Sequence, residues 1–167
     1  MTRMSHTTLA AWVLFAMSSI QPKAPWIDTY PKTADAIAKV SIDEPLFDGD
    51  DGPRRTAALF VSVAWFESTF NPKAEGDKGQ SVCLFQIGVS NLKALGTTRQ
   101  EILEDVEVCT RAARRMMKIS FNVCRRRPFE EWLGHYASGG NTCGGLKESR
   151  HRVEKAKWIF AHFKESE

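Results

Sequence analysis

Two acidic side chains stand where their surroundings could turn them to chemistry. Glu67 follows a long uncharged run, Thr56-Ala57-Ala58-Leu59-Phe60-Val61-Ser62-Val63-Ala64-Trp65-Phe66, in which only Thr56 and Ser62 are polar. As a helix this run is apolar nearly all round, so it belongs in the centre of a core. Its terminal carboxylate then sits where apolar walls meet solvent. Desolvation there disfavours the charged form and raises the acid's pKa, as general-acid work near neutral pH requires. Asp77 follows ten residues later in Gly76-Asp77-Lys78-Gly79, where a turn brings it back over the helix end. On the residues alone, a helix-ending Glu that points to water and a Gly-flanked Asp that only shapes a turn remain open beside these readings. Gln86 and Tyr136 are polar-tipped and suit either a cleft wall or the edge of a core.

Other chemistries find no support. No Ser or Cys sits in a nucleophile elbow, and His6, His135, His151 and His162 are scattered. Gly76, Gly79 and Gly88 do not open a helix after a strand, so there is no phosphate cradle. Asp48-Gly49-Asp50-Asp51-Gly52 lacks calcium-loop spacing and its distal Glu, and reads as a turn placing acids before a helix. The four cysteines, Cys83, Cys109, Cys124 and Cys143, contain no CxxC, which argues against zinc. They are buried thiols or, in an exported domain, two disulfides with three pairings open. What remains is carboxylate chemistry that calls for no cofactor and no metal.

The elements that must position these groups are mostly helical. The 167 residues suit a single domain, and 43% hydrophobic with 10% aromatic content is globular. Residues 1–24 read as a cleaved signal peptide, an uncleaved anchor or an N-terminal helix: Thr7 to Ile20 is apolar, Ala16-Met17-Ser18 offers small residues for cleavage, and Trp12 and Phe15 suit a buried helix equally. The run is short for a membrane span. Residues 25–167 form the main domain. Pro22, Pro25 and Pro31 mark a connection, Thr33 to Ser41 a short helix, and Thr98 to Glu101 a capping box. Apolar positions Val106, Cys109, Ala113, Met116, Ser120 and Cys124 recur at helical steps, opposite Arg111, Arg114, Arg115 and Lys118. Pro128 opens a helix carrying Trp132, Leu133 and Tyr136. The last helix, Lys147 to Phe163, buries Val153, Ala156, Ile159, Phe160 and Phe163 and exposes Arg150, Arg152, Lys155 and Lys157. The fold class is mainly α, with at most a small hairpin around residues 74–87.

The residues also carry a resemblance. Glu67-Ser68-x-Phe70-Asn71-Pro72-x-Ala74, then Gly79, then Leu84-Phe85-Gln86-Ile87, resembles the soluble lytic transglycosylases. Gly76-Asp77-Lys78-Gly79 and its spacing to Gln86 are closer to goose-type lysozymes, which share that lysozyme-like fold. Tyr136-Ala137-Ser138-Gly139 is similar to the cleft-closing segment of both. The likeness spans Thr56 to Gly139. Cys83 replaces the first Gly of the family's Gly-Leu-Met-Gln, and Phe85 its Met. The Glu-to-Gln distance is one residue longer than the usual transglycosylase form. Gly88 stands where goose-type lysozymes carry a second acid.

The resemblance implies cleavage of the β-1,4 bond between N-acetylmuramic acid and N-acetylglucosamine in peptidoglycan glycan strands. It implies Glu67 as acid then base, Ser68 orienting an N-acetyl group, Gln86 and Tyr136 bonding the sugar, and Asp77 supporting Glu67 or holding a water. A lone acid fits the transglycosylase route, in which the sugar's own groups do the rest, whereas a hydrolase generally needs two carboxylates. Goose-type hydrolysis and non-catalytic wall binding are the alternatives. The expected setting is extracytoplasmic, for a monomer of bacterial or phage origin. A net charge of +3 suits an anionic wall and is too mild for nucleic acid, for which Arg125-Arg126-Arg127 alone is no module.

Overall fold

Helix α3 (Gly52–Ser68) is the pillar of the computed structural model, which describes residues 4–140 and 142–163. Pro53 pre-sets its first turn, and every residue from Thr56 to Ala64 is buried. Ordinary helices show water one face; this stretch, from Thr56 to Ala64, shows it none. Each of Leu59, Phe60, Val61 and Val63 contributes roughly 1.5–3 kcal/mol by leaving water. The two polar exceptions are satisfied. Thr56 Oγ1 donates to the Gly52 carbonyl at 2.8 Å, and Ser62 Oγ to that of Arg152 at 2.6 Å.

Three helices enclose it. Helix α1 (His6–Ile20) lies on α2 (Tyr30–Asp43), and both pack on α3, with α8 (Leu146–His162) closing the remaining side. The apolar segment read as leader or first helix is α1, and it buries Leu9, Trp12, Val13, Ala16 and Met17. Trp12 Nε1 donates to the Phe163 carbonyl at 2.5 Å, and Arg54 Nη2 donates to the Phe160 and Phe163 carbonyls at 3.0 and 2.9 Å. These donors satisfy acceptors that the end of α8 leaves open. Among the described residues no helix is long and apolar enough to cross a membrane.

The second half of the chain builds a wall opposite α3. Strands β1 (Glu75–Gly76), β2 (Ser81–Val82) and β3 (Ile87–Gly88) pair antiparallel in that order, with Glu75 opposite Val82 and Val82 opposite Ile87. The expected hairpin thus acquires a third strand. Asp77, Lys78 and Gly79 turn it through positive φ values of 50°, 56° and 83°. Short helices α4 (Leu92–Leu95) and α5 (Arg99–Glu104) follow, the latter started by the Thr98–Glu101 capping box. Helix α6 (Val106–Cys124) begins on Asp105, whose carboxylate accepts from the Glu107 N–H at 2.8 Å. Its basic face is not free: Arg111 reaches Asp43, Glu44 and Glu107, and Arg114 the Glu44 carbonyl, tying α6 to the end of α2. Of the two methionines of α6, Met117 rather than Met116 lies in the core.

The helix expected from Pro128 is broken into a 3₁₀ turn (Phe129–Glu131) and α7 (Gly134–Ser138). Tertiary bonds break it. Ser149 Oγ takes the Leu133 N–H and Ser120 Oγ takes the Tyr136 N–H, each at 3.0 Å, so these donors are unavailable to a continuous ladder. Disulfides join Cys83 to Cys109 and Cys124 to Cys143. With partners 26 and 19 positions apart in sequence, each constrains the unfolded chain by on the order of 3 kcal/mol.

Trp12→Ala removes both α1's largest buried side chain and its bond to α8. We expect a loss of about 3–5 kcal/mol in urea unfolding; an unchanged midpoint would show that α1 adds nothing to the core.

Candidate active site

Glu67 lies in the last turn of α3, where burial and the negative end of the helix dipole both disfavour a carboxylate. Its side chain is 17% exposed, at the floor of a cleft of about 680 Å³ between the small sheet and α7. Desolvation is the largest influence on it and raises its pKa above the ordinary value. Arg152 works in the opposite direction by charge and hydrogen bonding, and the negative charge of Asp77 adds a smaller upward push. The guanidinium donates from Nε at 3.1 Å and Nη2 at 2.7 Å, both to Glu67 Oε1.

The chain turns sharply just past this acid. Thr69 and Phe70 both adopt left-handed backbone, with φ of 49° and 67°. Such residues cost on the order of 1–3 kcal/mol each and persist only when their surroundings hold them. Here Phe70 is fully buried edge-on to Tyr30, at 5.6 Å between ring centres, and Trp26 Nε1 donates to the Thr69 carbonyl at 3.0 Å.

Across the cleft, the segment from Cys83 to Gln86 is pinned at each residue. Ser68 Oγ donates to the Leu84 carbonyl at 2.7 Å, Tyr136 Oη to the Phe85 carbonyl at 2.5 Å, and Cys83 is bonded to Cys109 on α6. Cys83 itself has a φ of 67°. Only glycine takes that conformation without penalty, which accounts for the Gly of the related motif; here the disulfide and full burial hold it instead. Gln86, with φ at 50°, turns its side chain back so that Nε2 donates to the Cys83 carbonyl at 3.2 Å. Gly76 makes room, because a Cβ there would collide with Gln86 Oε1.

The structure brings Glu67, Asp77, Gln86 and Tyr136 to one cleft. Asp77 is exposed on its rim, and its Oδ2 accepts from Ser81 Oγ at 2.9 Å. Burial, and secondarily the charge of Glu67, raise the Tyr136 phenol well above its usual pKa, so it stays a neutral donor. Ser68 is not among the cleft-lining side chains; its hydroxyl faces the Leu84 loop. Most of the other lining residues, Met116, His135 and Arg152 among them, were not read from sequence as site residues. Arg152 is the substantive correction. Expected on a solvated face, its side chain is only 12% exposed. A signal existed: it sits three residues after Ser149 and four before Ala156, both buried, and so borders the inward stripe of α8.

A central apolar helix that ends in a half-sequestered acid, facing a three-stranded sheet across a helical cleft, defines a lysozyme-like domain. Residues 49–159 match the transglycosylase SLT domain, and the chain belongs to that family. No curated protein and no solved structure matches it. At family level the domain is that of peptidoglycan lytic transglycosylases, enzymes that act on the wall outside the cytoplasm.

Ser68→Ala removes the hydroxyl donor from the buried Leu84 carbonyl. The expected cost is about 1–3 kcal/mol in thermal unfolding, with a smaller loss of wall-cleaving activity than any change at Glu67 produces. A raised KM at unchanged stability would return Ser68 to the substrate-binding set.

Proposed function

We propose that this protein cleaves the β-1,4 bond between N-acetylmuramic acid and N-acetylglucosamine as a lytic transglycosylase, leaving 1,6-anhydro-muramic ends. The observation that carries this reading is asymmetry between the two acids. Glu67 is largely sequestered with its pKa raised, whereas Asp77 is exposed and hydrogen-bonded to Ser81. One largely buried acid of raised pKa and no equivalent second one suits a substrate that supplies its own nucleophiles.

In this scheme Glu67 gives its proton to the glycosidic oxygen as the C1–O bond breaks, and the N-acetyl carbonyl oxygen of the muramic residue bonds to C1. Glu67, now a carboxylate, takes the proton from the 6-hydroxyl of the same sugar. That oxygen attacks C1 and displaces the N-acetyl oxygen, closing the anhydro ring and restoring the acid. No water enters the balance. Gln86, its amide held by Cys83, and Tyr136, a neutral phenol, bond the sugar. Asp77 at the rim is the residue a hydrolytic outcome would use to hold water. The paired cysteines fit an oxidising, extracytoplasmic setting.

Three tests follow from this chemistry. Glu67→Gln, nearly isosteric but unable to cycle the proton, should lower muropeptide release from purified peptidoglycan by at least about 10³-fold, within the range general acid–base catalysis contributes; retained activity would refute the mechanism. Mass spectrometry of the released products should show 1,6-anhydro ends, whereas products one water heavier would establish hydrolysis and promote Asp77. Activity should also fall as pH rises through a midpoint above the ordinary carboxylate range of about 4.3. The sign follows from Glu67: its pKa is raised, the acid form is the active one, and that form is lost on the alkaline side.

A further inference from the structure

Both guanidinium contacts to Glu67 fall on one oxygen. Arg152 Nε and Nη2 lie 3.1 and 2.7 Å from Oε1, and among the described residues Oε2 accepts no hydrogen bond. A carboxylic acid has one carbonyl oxygen and one hydroxyl oxygen, and these contacts decide which is which. A proton on Oε1 would point at or crowd two N–H donors. A proton on Oε2 leaves Oε1 as a carbonyl acceptor that keeps both contacts.

We propose that Arg152 is the positioning residue of the acid: it holds Oε1 throughout the cycle, so that Glu67 delivers and recovers its proton through Oε2. This assignment rests on the reading of Glu67 as the acid. The clamp makes the same contacts in both protonation states, but a charged acceptor strengthens them. Arg152 therefore favours the carboxylate that remains once the proton has left, which is stabilisation gained as the glycosidic bond breaks rather than before. It also offsets the burial that would otherwise keep Glu67 protonated too firmly to give the proton up.

The arginine is itself held. Ser62 of α3 donates to its carbonyl at 2.6 Å, locking that turn of α8 against the helix that carries Glu67. Its guanidinium carbon lies 5.5 Å from the centre of the Phe66 ring. Lysine has the charge but not the two-donor fork. The titratable groups that share the cleft with Glu67 are Asp77 from the turn after β1, His135 and Tyr136 from α7, and Arg152 from α8. Arg152 is the one that contacts it.

Arg152→Gln and Arg152→Lys, each assayed on purified peptidoglycan across pH, test the assignment. For Arg152→Gln we expect kcat to drop about 100-fold, of the order that positioned proton transfer supplies, with KM within about twofold. The alkaline limb should move to higher pH, because removing the cation favours protonated Glu67. Titration of the Glu67 carboxyl by ¹³C NMR without substrate should move the same way. Arg152→Lys should lower kcat about tenfold, leaving the alkaline limb within a few tenths of a pH unit. A loss of kcat with both the pH limb and the NMR titration unmoved in Arg152→Gln would reduce Arg152 to a structural contact and overturn the proposal. So would a rise in kcat, which would make the pair a resting-state latch. Should Arg152→Gln fail to fold, a fully active Arg152→Lys overturns the proposal by itself. Glu67→Gln separates the two levels: if it is active, the catalytic reading fails; if it is inactive while Arg152→Gln behaves as wild type, only the clamp fails.

Discussion

A helix that is apolar on every side must be enclosed on every side, and the rest of this structure follows from that constraint. Helix α3 presents Ala, Leu, Phe and Val around its full circumference from Ala57 to Ala64. No two-layer arrangement hides such a cylinder. Helices α1, α2 and α8 therefore wrap it, and the sheet and α7 meet near its C-terminal end. The enclosure stops where the chain must leave, and Glu67 stands at that exit. Its partial burial is thus a consequence of core construction, and its raised pKa is a consequence of the burial.

The opposite wall shows how a site is kept rigid where regular structure is sparse. Its strands are two residues long and offer few backbone bonds. Rigidity comes instead from side chains that bond the loop's carbonyls and from Cys83–Cys109. Several residues near the cleft, among them Asp77, Cys83 and Gln86, hold positive φ without being glycine. Each would relax in an isolated peptide. Their persistence reflects surrounding structure that over-determines them, as expected where geometry serves function. The replacement of glycine by a disulfide-bonded cysteine at position 83 exchanges conformational freedom for a covalent tie.

Electrostatics divides the charged residues by burial. Exposed pairs such as Lys39–Glu107 and Arg99–Glu75 join elements but contribute little each, because water and salt screen them. Glu67–Arg152 is different in kind. Both partners are largely removed from water, so each feels the other strongly, and the balance between desolvation and pairing decides the protonation state of the acid. A site built only to stabilise the fold gains little from such a pair, whereas a site that must release and recover a proton gains a tuned acid.

The division between sequence and tertiary structure is clear in particular residues. Local pattern was enough for the buried course of α3, the capping box at Thr98, the turn at Gly76–Gly79 and the candidacy of Glu67, because each depends on periodicity or on chemistry within a few residues. The motif from Glu67 to Ile87 likewise carried the family. The broken helix after Pro128 was not legible, since Ser120 and Ser149 compete for its donors from distant helices. Neither was the cysteine pairing, which depends on which helix faces which loop. Arg152 lies 85 residues beyond Glu67, on a helix whose charged positions were read as a solvated face, with only its place beside the inward stripe to suggest otherwise. The sequence by itself determined that an acid would end an apolar helix in a mainly helical domain. Only the tertiary structure decided what faces that acid, because helix packing sets the partner, and no local rule reaches across so long a stretch of chain.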